Sequence, residues 1–304
     1  MKLLDTNNRK NILRIKSMLY YYAFTGHKHG LDRVKKAAVI LNKLRTKGVE
    51  TVLLVNDFRA GLVAREFGVP ESVTIETIQD IDAIAQVGDS VVIDSPEDDH
   101  GRLVKYCSDF KEVFRFAQSA EDKSIHGETM LRMDCKDDED CISAIIVDDV
   151  YFEEHKKEER TLFFFGDSDA DKIILNNENF FKDSNMELLL GHYFYVKYED
   201  DLAKIFDVMH EPEEYMDLIC SSSKVVTSSF QTAIEATVAN AEVIFVDINK
   251  ISSEEKKIFE LLKIVIVASY SEYKYEQIII DSVSIDVTSI GRSDTIVSKM
   301  MNRL

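Results

Sequence analysis

No stretch of the 304-residue sequence approaches the ~20 consecutive apolar residues of a membrane span. The first residues, MKLLDTNNRKNILRIK, lack the apolar core of a signal peptide, so a cytoplasmic protein is expected. Basic charge is scarce: 37 Lys and Arg stand against 55 Asp and Glu, a formal net charge of −18. That argues against a nucleic-acid binder, which needs a basic face. It leaves a nucleotide open, because backbone N–H groups can hold phosphates. The four cysteines, Cys107, Cys135, Cys141 and Cys220, form no CxxC pair and have no companion ligands at zinc spacing. All four are expected as reduced thiols. Tryptophan is absent and there are three prolines, which exclude nothing.

What is present is 45% hydrophobic and 30% charged residues, enough for a sizeable core in ~2 domains of ordinary size. Apolar runs alternate with amphipathic segments. A strand is expected within 12–24, followed by the turn TGHKHG. A helix is expected over 31–47, with Val34, Ala37, Ala38, Leu41 and Leu44 on one face and Lys35, Lys36, Lys43 and Arg45 on the other. Strands follow at 49–56, 73–77, 91–94 and 112–116, with helices at 60–67, 78–86 and 102–110. The acidic segment 118–143 reads as irregular surface, 144–147 as a short strand, and the run EEHKKEER as a solvated helix or linker. A second series begins with the strand at 161–165 and the turn GDSDADK. It continues through a helix at 173–181, strands at 186–190 and 193–196, and helices at 199–209 and 213–221. Segments 253–262, 264–268, 273–281 and 293–302 extend the alternation. Such alternation implies parallel sheets covered on both faces, here as two α/β halves, 1–143 and 144–304.

The organising stretch is KVVTSSFQTAIEATVANAEVIFVD, residues 224–247, a strand, a polar turn, a helix and a strand. A helix start carries free N–H groups and the positive end of the dipole, so Ser228, Ser229, Gln231 and Thr232 suit an anion such as a diphosphate. Glu235, one turn further on, is placed to meet ribose hydroxyls. Serine, threonine and glutamate are equally the common N-cap and capping-box residues. Gly166, Ser168 and Asp169 form the turn after the strand 161–165. Asp94 ends a strand, where ligand-facing residues of parallel sheets cluster. His126, His155, His192 and His210 have no partner identifiable from the sequence, and His100 follows three acids in what reads as a solvated loop.

Six segments, in order, resemble the UDP-sugar hydrolases of pseudaminic acid synthesis (PseG type) and their spore-coat-polysaccharide relatives (SpsG type). They are GHKHGLDRVKKAAVILNKLRTKG, VLLVNDFRAGLVAREFGV, SVVIDSPEDDHGRLVKY, AIIVDDVYF, LFFFGDSDADKIILN and PEEYMDLICSSSKVVTSSFQTAIEA. The resemblance implies an α/β, GT-B-like fold: two Rossmann-like domains with parallel sheets facing a central cleft. It implies UDP or a UDP-sugar as ligand, no cofactor and no metal. The family turn reads G-x-G-H-x-x-R with the histidine as base. One inserted residue aligns Gly26 and His29 with it, leaving His29 or His27 as the base and Arg33 as the turn's arginine. Lys28 and Asp167 stand where the family has glycine. The function implied is hydrolysis of a UDP-linked amino sugar for surface or flagellar glycans. A GT-B glycosyltransferase and a nucleotide-sugar-binding homologue without turnover are the alternatives.

Overall fold

The computed structural model describes residues 17–138, 140–182, 184–270, 290 and 292–304. Among the described residues, seven strands form the first sheet: β1 (Leu19–Ala23), β2 (Thr51–Val55), β3 (Ser72–Thr74), β4 (Ser90–Asp94), β5 (Glu112–Phe116), β6 (Thr129–Arg132) and β7 (Cys141–Ser143). Their order is β3-β2-β1-β4-β5-β6-β7, and every pairing is parallel. Among the described residues, six strands form the second: β8 (Glu158–Phe164), β9 (Glu187–Leu189), β10 (Met209–His210), β11 (Ser222–Thr227), β12 (Glu242–Val246) and β13 (Val265–Val267). Their order is β10-β9-β8-β11-β12-β13, again all parallel. The connecting helices are α1 (Asp32–Thr46), α2 (Phe58–Glu66), α3 (Ile81–Ile84), α4 (Arg102–Asp109), α5 (Ile173–Asn176), α6 (Glu178–Phe181), α7 (Val196–Leu202), α8 (Tyr215–Ser221), α9 (Phe230–Val238), α10 (Ser253–Leu261) and α11 (Ser293–Met301).

The central strands are apolar without alternation, as sheets covered on both faces require: β1 reads LYYYA and is buried throughout. On one face of the first sheet, Leu19, Tyr21 and Leu53 pack with Val34, Ala38 and Leu41 of α1. On the other, Tyr20, Tyr22 and Leu54 pack with Leu103 and Tyr106. In each sheet the strand order reverses once, between β1 and β4 and between β8 and β11. Loops leaving such neighbours diverge, which opens a crevice at the carboxyl ends.

Several expectations are corrected. The first strand starts at Leu19, and 12–16 lies outside the described residues, as does the expected segment 273–281. The segment 118–143 is not simply irregular: β6 and β7 extend the first sheet, and their three or four residues are too few to show periodicity. Residues 144–147 carry no strand. Residues 193–196 are a turn into α7, because Tyr193 N–H bonds Asp167 O and Phe194 N–H bonds Gly191 O. The helix expected at 173–181 is two single turns, and 199–209 gives way to β10 after α7 ends. Cys135 and Cys141 are not free thiols but a disulfide, their Cα atoms 6.5 Å apart. The intervening turn, in which Asp138 accepts from Cys141 N–H at 2.8 Å, brings them together. Finally, α11 crosses back: Ile296, Val297 and Met300 join the core around α1, so the chain's last helix belongs to the first unit.

Candidate functional site

Three loops meet across the crevice. After β1, Thr25 is pinned by Asn56, which accepts Thr25 N–H at 2.7 Å and donates to its carbonyl at 3.0 Å. The chain then turns through Gly26–Gly30, which bridge each other. Gly30 has φ +62°, a conformation that disfavours any side chain. His27 and His29 are exposed on this turn, and α1 begins immediately after it. Facing them are the loop after β8 (Gly166–Asp169) and the start of α9, where Ser229 is the N-cap and its Oγ accepts Thr232 N–H at 3.1 Å.

Two cavities lie in the crevice. One, of about 160 Å³, is lined by His27, His29, Gly166, Ser168, Ser228 and Ser229, among others. The second, of about 300 Å³, has Arg33, Lys36, Asp94 and Gln118 on one side and Phe230 and Gln231 on the other. His29, Asp32 and Phe230 line both. Between them Ser229 Oγ donates to Asp32 Oδ2 at 2.9 Å, joining the starts of α1 and α9.

Behind the histidine turn runs a buried row of alternating charge. Lys35 Nζ meets Asp167 Oδ2 at 3.2 Å, and both side chains are almost wholly buried. Asp167 also accepts Leu31 N–H at 3.2 Å, and its Oδ1 lies 3.0 Å from His192 Nδ1. The other ring nitrogen of His192 lies 3.0 Å from Glu66 of α2. Burial would raise the Asp167 carboxyl, but Lys35 and His192 outweigh it and hold the group at about 2. Burial likewise pulls Lys35 down, and Asp167, Asp32 and Glu235 more than reverse it. Lys35 Nζ also sits 4.0 Å from the Tyr215 ring centroid, a cation–π contact. Gly191 lets this row close: a Cβ there would lie 2.5 Å from the Gly166 carbonyl oxygen.

Asp94 lines the larger cavity, but its oxygens are held by Lys36 (2.7 Å), Arg33 (3.1 Å) and Tyr21 (3.3 Å). Asp169 is turned inward and accepts from Ile173 and Ile174 N–H at 2.7 and 2.9 Å, tying the loop to α5. Ser228 Oγ is bonded to Val246 O and Tyr270, each at 2.8 Å. Glu235 does not reach the crevice. It is 2% exposed, Gln231 Nε2 donates to its Oε1 at 2.8 Å, and its Oε2 lies 2.7 Å from the Tyr215 hydroxyl. Six residues beyond the N-cap, a helical side chain has rotated into the core. Burial pushes its carboxyl up to about 7 against the opposing effect of Lys35.

The structure thus gathers His27, His29, Gly166, Ser168, Ser228 and Ser229 around one cavity and Arg33, Asp94 and Gln231 around the next, while Gly26 lines neither and serves to close the turn against Gly30. Thr232, Asp169 and Glu235 sit behind them. The sequence reading missed Asp32 and Lys35, the latter assigned to a solvated face, and missed His192 as a partner. The one available signal was Asp167, an acid in a turn after a buried strand, which requires a cation nearby.

No protein-family model and no curated protein matches the sequence. Solved structures do match in three dimensions. Staphylococcus aureus MnaA, in a co-structure with UDP, is 13% identical, with 86% of this chain and 87% of that one covered at a TM-score of 0.58. The UDP-GlcNAc 2-epimerase from Methanocaldococcus jannaschii, in complex with UDP-GlcNAc and UDP, gives 9%, 94%, 99% and 0.57. A putative UDP-N-acetylglucosamine 2-epimerase from Listeria monocytogenes gives 9%, 84%, 85% and 0.56. The fold is GT-B-like. In a GT-B-like frame the two cavities lie where the paired sheets present their carboxyl ends to each other.

Proposed function

We propose that the protein binds UDP or a UDP-sugar in this crevice and hydrolyses the bond between sugar and diphosphate, as the resemblance to the PseG and SpsG hydrolases implies. Ser228, Ser229 and the free N–H groups of α9 seat the diphosphate, with Gly166 and Ser168 opposite. His29 takes a proton from water, the water oxygen attacks the anomeric carbon, the bond from that carbon to the diphosphate oxygen breaks, and UDP leaves. The observation that carries this reading is that both turn histidines line the same cavity as the α9 start. The UDP complexes of the similar folds support it.

His29 is preferred over His27. Although the residue is exposed overall, partial desolvation of its ring, with Arg33 and Lys28 nearby, lowers its pKa below the ordinary 6.5, which favours the neutral form that a base needs. Both rings pack on an aromatic neighbour, His27 on Tyr193 with centroids 4.6 Å apart and His29 edge-on to Phe24 at 5.1 Å, so packing does not separate them. Arg33 is bonded to Asp94 and Gln118, so it shapes the cavity wall. The test is UDP release from a panel of UDP-amino sugars. His29→Asn should lower turnover by roughly 10²–10⁴-fold, the usual contribution of a general base. His27→Asn should be nearly silent. Equal turnover in wild type and both variants refutes the assignment. A second reading, nucleotide-sugar binding without turnover, is favoured by Asp32, whose carboxylate faces the diphosphate seat. UDP binding with no release from any panel member selects it.

A further inference from the structure

A chain of hydroxyls connects buried Glu235 to the crevice. Glu235 Oε2 lies 2.7 Å from Tyr215 Oη, which lies 2.8 Å from Thr232 Oγ1. Thr232 Oγ1 donates to Ser229 Oγ at 2.9 Å, and Ser229 Oγ donates to Asp32 Oδ2 at 2.9 Å. Four links need four protons, and the three hydroxyls supply three. With Ser229 donating to Asp32 and Thr232 to Ser229, the single Tyr215 proton can go to Glu235 or to Thr232, and only the second choice leaves every link able to form at once. The remaining link is then made only if Glu235 carries a proton on Oε2. Its Oε1 is free to accept from Gln231, as observed. The alternative holder, Asp32, lies in the crevice 3.7 Å from the Lys35 ammonium, whereas Glu235 is enclosed.

We propose that Glu235 is the proton switch of the anion seat: its protonated carboxyl orients the three hydroxyls outward, so that Ser229 donates to the anion at the start of α9. This rests on reading that helix start as the diphosphate seat. When Glu235 ionises, its buried charge takes the Tyr215 hydrogen bond. Tyr215 then accepts from Thr232, Thr232 from Ser229, and the Ser229 proton turns inward. The crevice loses a hydrogen-bond donor and faces an oxygen lone pair instead. In this arrangement Asp32 occupies the position of the anion, and a bound phosphate oxygen replaces it.

The groups facing Glu235 leave it as the one that titrates near neutrality. Lys35 and Asp32 approach from α1, Tyr215 and Cys220 from α8, and Tyr151 from the turn 149–152. Lys35 is held above its ordinary value, burial pushes both tyrosines well above theirs, and burial pushes Cys220 up to about 11. Burial places Glu235 itself at about 7.

The experiment measures the Kd of inorganic pyrophosphate and of UDP by calorimetry from pH 6 to pH 9, for wild type and Glu235→Gln. The side-chain amide that this substitution introduces donates permanently to Tyr215 and accepts from Gln231, so it mimics the protonated acid. Comparing the two proteins at each pH cancels titration of the ligand. The proposal expects equal pyrophosphate affinity at pH 6 and about tenfold tighter binding by Glu235→Gln at pH 9, the order expected for one charge-assisted hydrogen bond. Thr232→Val severs the chain while the backbone N–H at 232 still holds Ser229, so this variant should also lose the pH step. It keeps the test decisive if Glu235→Gln does not fold. Parallel curves for wild type and the variants overturn the proposal, as does failure of wild type to bind pyrophosphate at pH 6. UDP binding no tighter than pyrophosphate would overturn the nucleotide reading alone and leave the switch standing.

Discussion

Lys35 lies on a helix whose neighbours Lys36 and Lys43 keep partial contact with solvent, yet it is 2% exposed. Its surroundings make it expensive to remove. Asp167 is fully enclosed, and a buried charge that loses its partner costs several kcal/mol. Lys35→Met should therefore destabilise the protein by about 3 kcal/mol in urea unfolding. Lys35→Met combined with Asp167→Asn should recover part of that, because no unpaired charge is left. A double variant as unstable as the sum of the two single ones would show that the residues act independently. Asp167 is explained at this scale: it anchors the start of α1 to the second unit through Leu31 N–H and Lys35.

At the scale of elements, the loop between β9 and α7 clamps the first unit. Tyr193 donates to Asp57 Oδ2 at 3.0 Å, and His192 bridges Asp167 and Glu66. Both His192 ring nitrogens face carboxylate oxygens, which only accept, so the full bridge needs imidazolium. Burial lowers the His192 pKa, but Asp167 and Glu66 outweigh it, and the net shift is upward from 6.5. A raised folded-state value means the protonated native form is favoured. The stabilisation is complete below pH 6.5 and is lost as pH rises through the folded value. Unfolding free energies should accordingly fall on going from about pH 6 to about pH 9, and His192→Gln should remove that part of the slope. An unchanged slope in the variant would assign the pH dependence to other groups. Glu235 contributes in the same direction, since its value is also raised, so the two are separated only by comparing each variant with wild type.

For the whole molecule, the proposed division at 143/144 meets a chain that crosses it twice, once at 144–157 and again when α11 returns to α1. Ser293 marks the return: its hydroxyl donates to the Val147 carbonyl and accepts from Val147 N–H at 3.3 Å. Limited proteolysis should cut first in 119–128 and 153–157, which lie outside strands and are largely exposed. The residues of β6 and β7 and of α11 should resist, because they are tied into the first sheet and its core. Early cuts within 293–301 would contradict the docking of that helix. UDP-sugar should slow cutting at 153–157 if the crevice closes on it.

Alternation of apolar runs with amphipathic helices was enough for the sequence to determine two parallel α/β sheets, because period and burial are local properties of the chain. The positions of Ser228, Ser229, His27 and His29 at a crevice followed equally, since helix starts after parallel strands must lie at the carboxyl edge. The depth of a side chain is not local. Whether Lys35 is solvated or enclosed depends on a loop more than a hundred residues away, and whether Glu235 meets ribose or a tyrosine depends on how α8 packs against α9. The disulfide depended on a turn, and the membership of α11 on which of two cores it reached. Only the tertiary structure decided these, because burial, pairing and protonation are set by neighbours in space, and the pairing of charges across the crevice leaves no periodic trace in the chain.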